Sequence, residues 1–422
     1  MIVGGTISVP GDKSITHRAL ILSALSSTPS RLRGALTSHD ARSTARVLRQ
    51  LGAQIGPLRE GAEVSIQGVA RLRRPSSALH CGNSGTTARL LTGVLAAHPF
   101  RSVITGDASL RKRPMRRVTE PLELMGAQFE GPDPDRLPLA IQGGVSRAIE
   151  WRLPVSSAQL KGAILLAAAV AGVEAAVFEP AGLSRDHTER MLKSLGFTVA
   201  TADGWIRFQP SGEFSPLDLE IPGDPSSASF LVGAALLAES GSLRIRGVGM
   251  NPTRTGFIDV MRRMGATIEV IPQDDRGGEP TADLEVGPTE LIATEVEPGE
   301  IPGLIDEIPM LAVLASRARG TTTFKEVGEL RVKESDRLAL LADNIRATGG
   351  KAAVHGNNLV VEGVGLAPRG LVTTAGDHRI AMAFGVLARV SGAQVRIDNM
   401  ACAAVSFPGF WETLDRIERK RP

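Results

Sequence analysis

Tyrosine is absent from this sequence, and aromatic residues together make up 4% of it. Proteins that grip single-stranded nucleic acid combine a basic groove with aromatic stacking platforms. The densest basic run, Arg111-Lys112-Arg113-Pro114-Met115-Arg116-Arg117, has no aromatic residue within it. Neither sign of charge dominates: 48 Lys and Arg stand against 45 Asp and Glu, for a net +3. A small anionic ligand is the better match, and a basic nucleic-acid binder remains the alternative from another class. The only cysteines are Cys81 and Cys402, too few for a disulfide framework, and Cys81 is expected as a small buried residue. No apolar run reaches the roughly 18 residues of a membrane span; Ala163–Ala171 falls far short. The opening MIVGGTISVP lacks a basic region followed by an apolar stretch, so reducing cytoplasm is the expected compartment. There is no HExxH, paired CxxC, Walker GxxxxGK[ST], GxGxxG fingerprint or Ser-His-Asp signature.

What is present is a repeat. Five helix endings resemble one another: Leu51-Gly52-Ala53, Met125-Gly126-Ala127, Leu195-Gly196-Phe197, Met264-Gly265-Ala266 and Thr348-Gly349-Gly350. Glycine after the last apolar position predicts a left-handed helix cap. A second set of anchors, Ser14, Ser84, Ser157, Ser227, Asp306 and Asp377, opens an Ala/Leu-rich helix in each of six copies. Each copy reads strand, helix, strand, amphipathic helix and two short strands. The expected class is α/β, with two globules of three repeats each: residues 12–223, and residues 1–11 with 224–422. The first strand, Ile2–Val9, has no partner ahead of it and is expected to pair in the C-terminal globule. That makes two crossings, near 11 and 223, and suggests a hinge.

The helix starts carry the chemistry. A helix N-terminus has unpaired N–H groups and a positive dipole end, which together favour anions. Gly11-Asp12-Lys13-Ser14-Ile15-Thr16-His17-Arg18 places Ser14 as a cap and Arg18 on the same face. Cys81-Gly82-Asn83-Ser84-Gly85-Thr86-Thr87-Ala88-Arg89 offers an amide, hydroxyls and a glycine that admits close ligand approach. Ser156-Ser157-Ala158-Gln159 adds neutral donors, and Ser184-Arg185-Asp186-His187 a further cation. Lys333 and Arg337 lie four apart around Glu334, where cations oppose the helix dipole and suggest an anionic partner. Gly376-Asp377-His378-Arg379 repeats the design, while Asp306 supplies a carboxylate, as a candidate base or a simple cap. The alternatives are a capped helix with surface charges for the first motif, a tight strand-to-helix turn for the second, a solvated charged turn around Lys333 and Arg337, and a structural role for His378.

Taken in order, GDKSITHR, CGNSGTTAR, RKRPM, SSAQLK, SRDHTE, LIDEIPML, ELRVKESDR, GDHRIAMA and SFPGF resemble the 5-enolpyruvylshikimate-3-phosphate synthase family over nearly the whole chain. The resemblance implies a two-domain inside-out α/β barrel of six βαβαββ repeats. It implies transfer of the enolpyruvyl group of phosphoenolpyruvate to the 5-hydroxyl of shikimate 3-phosphate, releasing phosphate, with no metal or organic cofactor. This is a step toward chorismate and the aromatic amino acids, and a glyphosate target. By the same resemblance Lys13, Ser14, Arg18, Ser157, Ala158, Gln159 and Arg185, with Asp306 and Lys333, bind shikimate 3-phosphate. Lys13, Asn83, Gly85, Arg113, Gln159, Arg337 and Arg379 hold phosphoenolpyruvate. Asp306 accepts the hydroxyl proton, and Glu334, Lys333 and Lys13 complete the catalytic set. The expected form is a monomer without nucleic-acid or membrane partners. Two departures stand out: Val405 replaces a lysine before Phe407-Pro408, and Glu329-Leu330 replaces Asn-Trp. The related UDP-N-acetylglucosamine enolpyruvyl transferases use a loop cysteine, and Gly106–Met115 contains none.

Overall fold

The computed structural model describes residues 1–419. The chain divides into two compact units, Asp12–Ile221 and Met1–Gly11 joined with the chain from Pro222 on. In Asp12–Ile221 three apolar helices, Lys13–Leu25, Gly85–Ala96 and Ala158–Ala171, are buried on nearly every side. They approach closely because small residues line their contacts. A Cβ on Gly93 would lie 2.1 Å from the Ala163 carbonyl oxygen, so no other residue fits there without moving a helix. Leu90, Leu91, Val94, Ile164, Leu165 and Leu166 fill the core around this contact. Each such aliphatic side chain contributes about 1.5–3 kcal/mol by leaving water.

Three four-stranded sheets cover these helices. In the second repeat Leu79–His80 runs parallel to Arg101–Thr105, which pairs antiparallel with Leu139–Gln142, itself paired with Gln128–Glu130. The third repeat has the same order. In the first repeat the leading strand is supplied by Asp218–Glu220, parallel to Ser30–Arg33. The chain's own first strand, Ile2–Ser8, pairs instead with Ser240–Gly249 in the other unit's sheet, as its lack of an upstream partner led us to expect.

The other unit repeats the plan around the helices Pro225–Leu236, Ile308–Ala315 and His378–Leu387, up to its last copy. The sixth repeat departs from it. Its sheet has only two parallel strands, Arg369–Val372 and Gln394–Ile397. Where a closing hairpin was expected, the chain forms the helix Phe410–Ile417 and then Glu418–Arg419, which pairs with Ile2–Val3. Apolar chemistry accounts for the change: Phe407, Phe410 and Trp411 stack in edge contacts, and Phe410 meets Phe230 at 6.0 Å between ring centroids. All six described sheets are open; none of them closes on itself.

The repeated helix endings take the backbone their glycines allow. Gly52, Gly126, Gly196, Gly265 and Gly349 have φ from +84° to +117°. The anchors at the helix starts are less uniform than expected. Asp12, not Ser14, caps the first helix by accepting Ile15 N–H at 2.8 Å. Asp224 likewise caps the fourth through Ser226 N–H, leaving Ser227 inside the helix. Ser84 and Asp377 are caps, whereas Ser157 makes no side-chain cap bond. At these two starts a carboxylate, a strong acceptor for a helix N–H, takes the cap.

Candidate active site

Within Asp12–Ile221 the starts of the three buried helices are tied to one another. Arg18 is buried, and its guanidinium donates to Thr188 Oγ1 at 2.6 Å, Ser14 O at 3.1 Å and Ala158 O at 3.2 Å. Arg185 reaches Ser14 Oγ at 3.4 Å, so capping by Asp12 leaves that hydroxyl available to the cluster. Gln159 bridges to the second repeat, donating to Thr86 Oγ1 at 2.9 Å and accepting from Arg89 at 2.5 Å. Arg113 donates to Asn83 Oδ1, while Asn83 Nδ2 donates to Asp107 at 2.8 Å. Ser14, Arg18, Asn83, Ala158, Gln159 and Arg185 are thus brought together, and Lys13 lies beside them, paired with Asp40.

Beneath them runs a hydroxyl chain. His17 Nδ1 meets Thr44 Oγ1 at 2.7 Å, Thr44 meets Thr87 at 2.6 Å, and Thr87 donates to Ser84 at 2.7 Å. Burial pushes the His17 imidazole well below its ordinary pKa, with Lys13 and Arg18 adding to the shift. Neutral His17 therefore stiffens the seam and does not add to the cations there. Cys81, also buried, has its thiol pushed up to about 12 by desolvation and is inert, as expected.

A buried ion cluster supports the third helix start. Glu179 accepts from Ser157 N–H at 3.1 Å, Ser184 N–H at 3.0 Å and the Ser184 hydroxyl. Lys161 Nζ lies 2.8 Å from Glu179 and 2.7 Å from Glu189. Burial opposes the Lys161 charge, but Glu189 and Glu179 together hold its pKa above the ordinary value. Burial holds the Glu189 carboxyl above its usual range, with Lys161 opposing. The two directions agree once one ammonium serves two carboxylates and Glu179 takes the fuller set of donors. Sequence reasoning missed these residues. Their one signal was Lys161, a lone charge inside an Ala/Leu helix.

The other unit gathers the second group. Arg337 is fully buried and paired with three carboxylates: Asp377 at 2.9 Å, Glu334 at 2.5 Å and Asp306 at 3.4 Å. Arg379 donates to the Asp306 carbonyl at 2.9 Å and lies 3.5 Å from its carboxylate. Asp306 is not a helix cap; Glu307 occupies that position before Ile308–Ala315. The Asp377 carboxyl is held below its usual value; burial opposes this shift, and Arg337 outweighs it. Lys333 is half-buried, and crowding by protein lowers its ammonium pKa, opposed by Asp306 and Glu329. A lysine shifted this way is closer to exchanging a proton near neutrality. Leu330 is fully buried in the hydrophobic core, while Val405 ends a short 3-10 turn. Among the described residues no group of three or more His, Cys, Asp or Glu could hold a metal ion, and no helix is long and apolar enough to cross a membrane.

Known proteins resemble this chain along nearly its whole length. The family model for EPSP synthase (3-phosphoshikimate 1-carboxyvinyltransferase) matches residues 2–414. The 3-phosphoshikimate 1-carboxyvinyltransferase of Geobacter sp. (strain M21) is 44% identical over 419 residues, covering 99% of this chain and 97% of that protein. The enzyme of the same name from Anaeromyxobacter sp. (strain K) is 46% identical over 420 residues, covering 98% and 93%. A solved EPSP synthase from Acinetobacter baumannii superposes with a TM-score of 0.86 at 38% identity, covering 99% of this chain and 96% of that one. The enolpyruvyl transferase NikO of Streptomyces tendae shares the fold at a TM-score of 0.77 and 17% identity. With the ordered motifs, the clustered helix starts and these matches in agreement, the chain belongs to the EPSP synthase (3-phosphoshikimate 1-carboxyvinyltransferase) family.

Proposed function

We propose that this chain transfers the enolpyruvyl group of phosphoenolpyruvate to the 5-hydroxyl of shikimate 3-phosphate and releases inorganic phosphate. Both substrates carry a phosphate and a carboxylate, and preorganised cations stabilise such groups without reorganising during reaction. Lys13, Ser14, Arg18, Ser157, Ala158, Gln159 and Arg185 bind shikimate 3-phosphate. Asn83, Gly85, Arg113, Arg337 and Arg379 bind phosphoenolpyruvate, with Lys13 and Gln159 serving both.

The 5-hydroxyl oxygen attacks C2 of phosphoenolpyruvate, its proton passes to Asp306, and a proton is added at C3. The resulting tetrahedral adduct loses a C3 proton and phosphate to give the enol ether. Lys333 and Glu334 carry the proton to and from C3. The observation that supports this most is the buried Arg337 and Arg379 pair around Asp306, which sets an acceptor carboxylate among cations able to bind a substrate carboxylate. Phosphoenolpyruvate would compete with Asp306 and Glu334 for the donors of Arg337 and Arg379.

The two places where the chain passes between its units, after Gly11 and after Ile221, are proposed as the hinge. Three buried helices with sheets outside them are proposed as one inside-out barrel per unit, and a cytoplasmic monomer as the working form. Phosphate release, measured with each substrate omitted in turn, tests the function. Release should require both phosphoenolpyruvate and shikimate 3-phosphate. Release without shikimate 3-phosphate, or only with a UDP-sugar, would refute it.

A further inference from the structure

The fourth repeat supplies none of the proposed substrate contacts, yet a buried polar chain starts there. Arg254 donates to Asp224 Oδ1 at 2.9 Å and to Ser226 Oγ at 2.9 Å. The Ser226 hydroxyl donates in turn to Glu307 Oε1. A hydroxyl has one hydrogen to give, so the chain has one direction: Arg254 to Ser226 to Glu307. All three side chains are buried, with Glu307 at 0% exposure. The far end is anchored in the main chain, since Asp224 N–H donates to Pro10 O at 2.9 Å and Gly223 N–H to Gly247 O at 2.8 Å.

Glu307 is also fixed through its backbone. Its N–H donates to Leu304 O at 2.9 Å, and its carbonyl accepts from Met310 and Leu311 N–H, each at 3.0 Å. The next residue back is Asp306, whose carbonyl accepts from Arg379. A buried carboxylate is costly, and an apolar side chain of similar volume would stabilise the core as well or better. Retaining Glu307 there therefore calls for a positional reason.

We propose that the Arg254–Ser226–Glu307 chain is a positioning device that sets the Asp306 carboxylate for proton abstraction. It rests on the reading of Asp306 as the proton acceptor. The fourth repeat then acts through its neighbour, spending its helix start on an internal carboxylate where the other repeats spend theirs on substrate. Displacing a reacting group by about 1 Å costs on the order of 100-fold in rate.

The test uses the full-length enzyme with both substrates. Ser226→Ala breaks the chain, Glu307→Leu fills the space without an acceptor, and Glu307→Gln keeps Oε1 as acceptor. Rates are expressed per site titrated with shikimate 3-phosphate, so that misfolded protein is not counted. Ser226→Ala and Glu307→Leu should lower kcat by roughly 10- to 100-fold. KM for both substrates should stay within twofold, and the solvent deuterium effect on adduct formation should rise. Glu307→Gln should restore most of the rate. Wild-type kcat per site in Glu307→Leu and Ser226→Ala would overturn the proposal, as would a lower kcat with an unchanged isotope effect. Asp306→Ala, measured alongside, separates the two claims. If it retains turnover, the proton-acceptor reading and this proposal both fall; if it abolishes turnover while the other variants behave as wild type, only the positioning role falls.

Discussion

Replacing Lys161 with methionine keeps most of the side-chain volume and removes the ammonium that two buried carboxylates share. Lys161, Glu179 and Glu189 have side chains 1%, 0% and 5% exposed, so water cannot compensate for the loss. Removing one partner of a buried ion pair costs about 3–5 kcal/mol. The unit Asp12–Ile221 spans 210 residues. At about 2–4 °C per kcal/mol for a unit of this size, its Tm should fall by roughly 6–20 °C. Glu189→Gln should cost less than about 1 kcal/mol, because burial already disfavours its charged form and one ammonium then serves one carboxylate. The double variant should recover part of the Lys161→Met loss.

Function should follow the same geometry. Glu179 holds both Ser157 N–H and Ser184 N–H, so a disturbed cluster should raise KM for shikimate 3-phosphate more than for phosphoenolpyruvate. Differential scanning calorimetry with steady-state kinetics reads both. A stability loss below about 1 kcal/mol in Lys161→Met would show that the three charges are not coupled as described.

Gly85→Ala would place a Cβ 3.0 Å from Arg113 Nη1 and push that guanidinium aside. With a charge-assisted hydrogen bond worth about 1.5 kcal/mol, KM for phosphoenolpyruvate and the glyphosate inhibition constant should each rise roughly tenfold. Unchanged inhibition would refute the steric reasoning. His17 and His98 both have pKa values lowered by burial from an ordinary 6.5. The unfolded chain therefore takes up protons first, and stability should fall as pH drops below about 6.5, by up to about 1.4 kcal/mol per pH unit for each histidine. Urea unfolding at pH 7.5 and 5.5 measures this, and His17→Asn should flatten the slope; an identical slope would remove His17 from the explanation.

Sequence carried the local signals well. The glycines at 52, 126, 196, 265 and 349 announced helix ends, because positive φ is a property of a single residue. Ile2–Ser8 announced a distant partner by having none nearby. Position along the chain was less reliable for caps, where Asp12 and Asp224 cap in place of the expected Ser14 and Ser227. The sixth repeat ended differently because Phe407, Phe410 and Trp411 found an apolar partner in Phe230, far away in sequence. Distant partners of buried polar groups were not legible from local pattern. Arg337 finds Asp377 forty residues on, and Ser226 finds Glu307 81 residues on. Such pairs depend on which helices pack, and no local pattern records that.

The most direct measurement is the structure of the product. Phosphoenolpyruvate labelled with carbon-13 at C2 would be incubated with the enzyme and shikimate 3-phosphate, and the product read by NMR. The expected product carries an enol-ether carbon coupled to position 5 of shikimate 3-phosphate, formed in step with inorganic phosphate. Label left in phosphoenolpyruvate, or transferred only to a UDP-sugar, would contradict it.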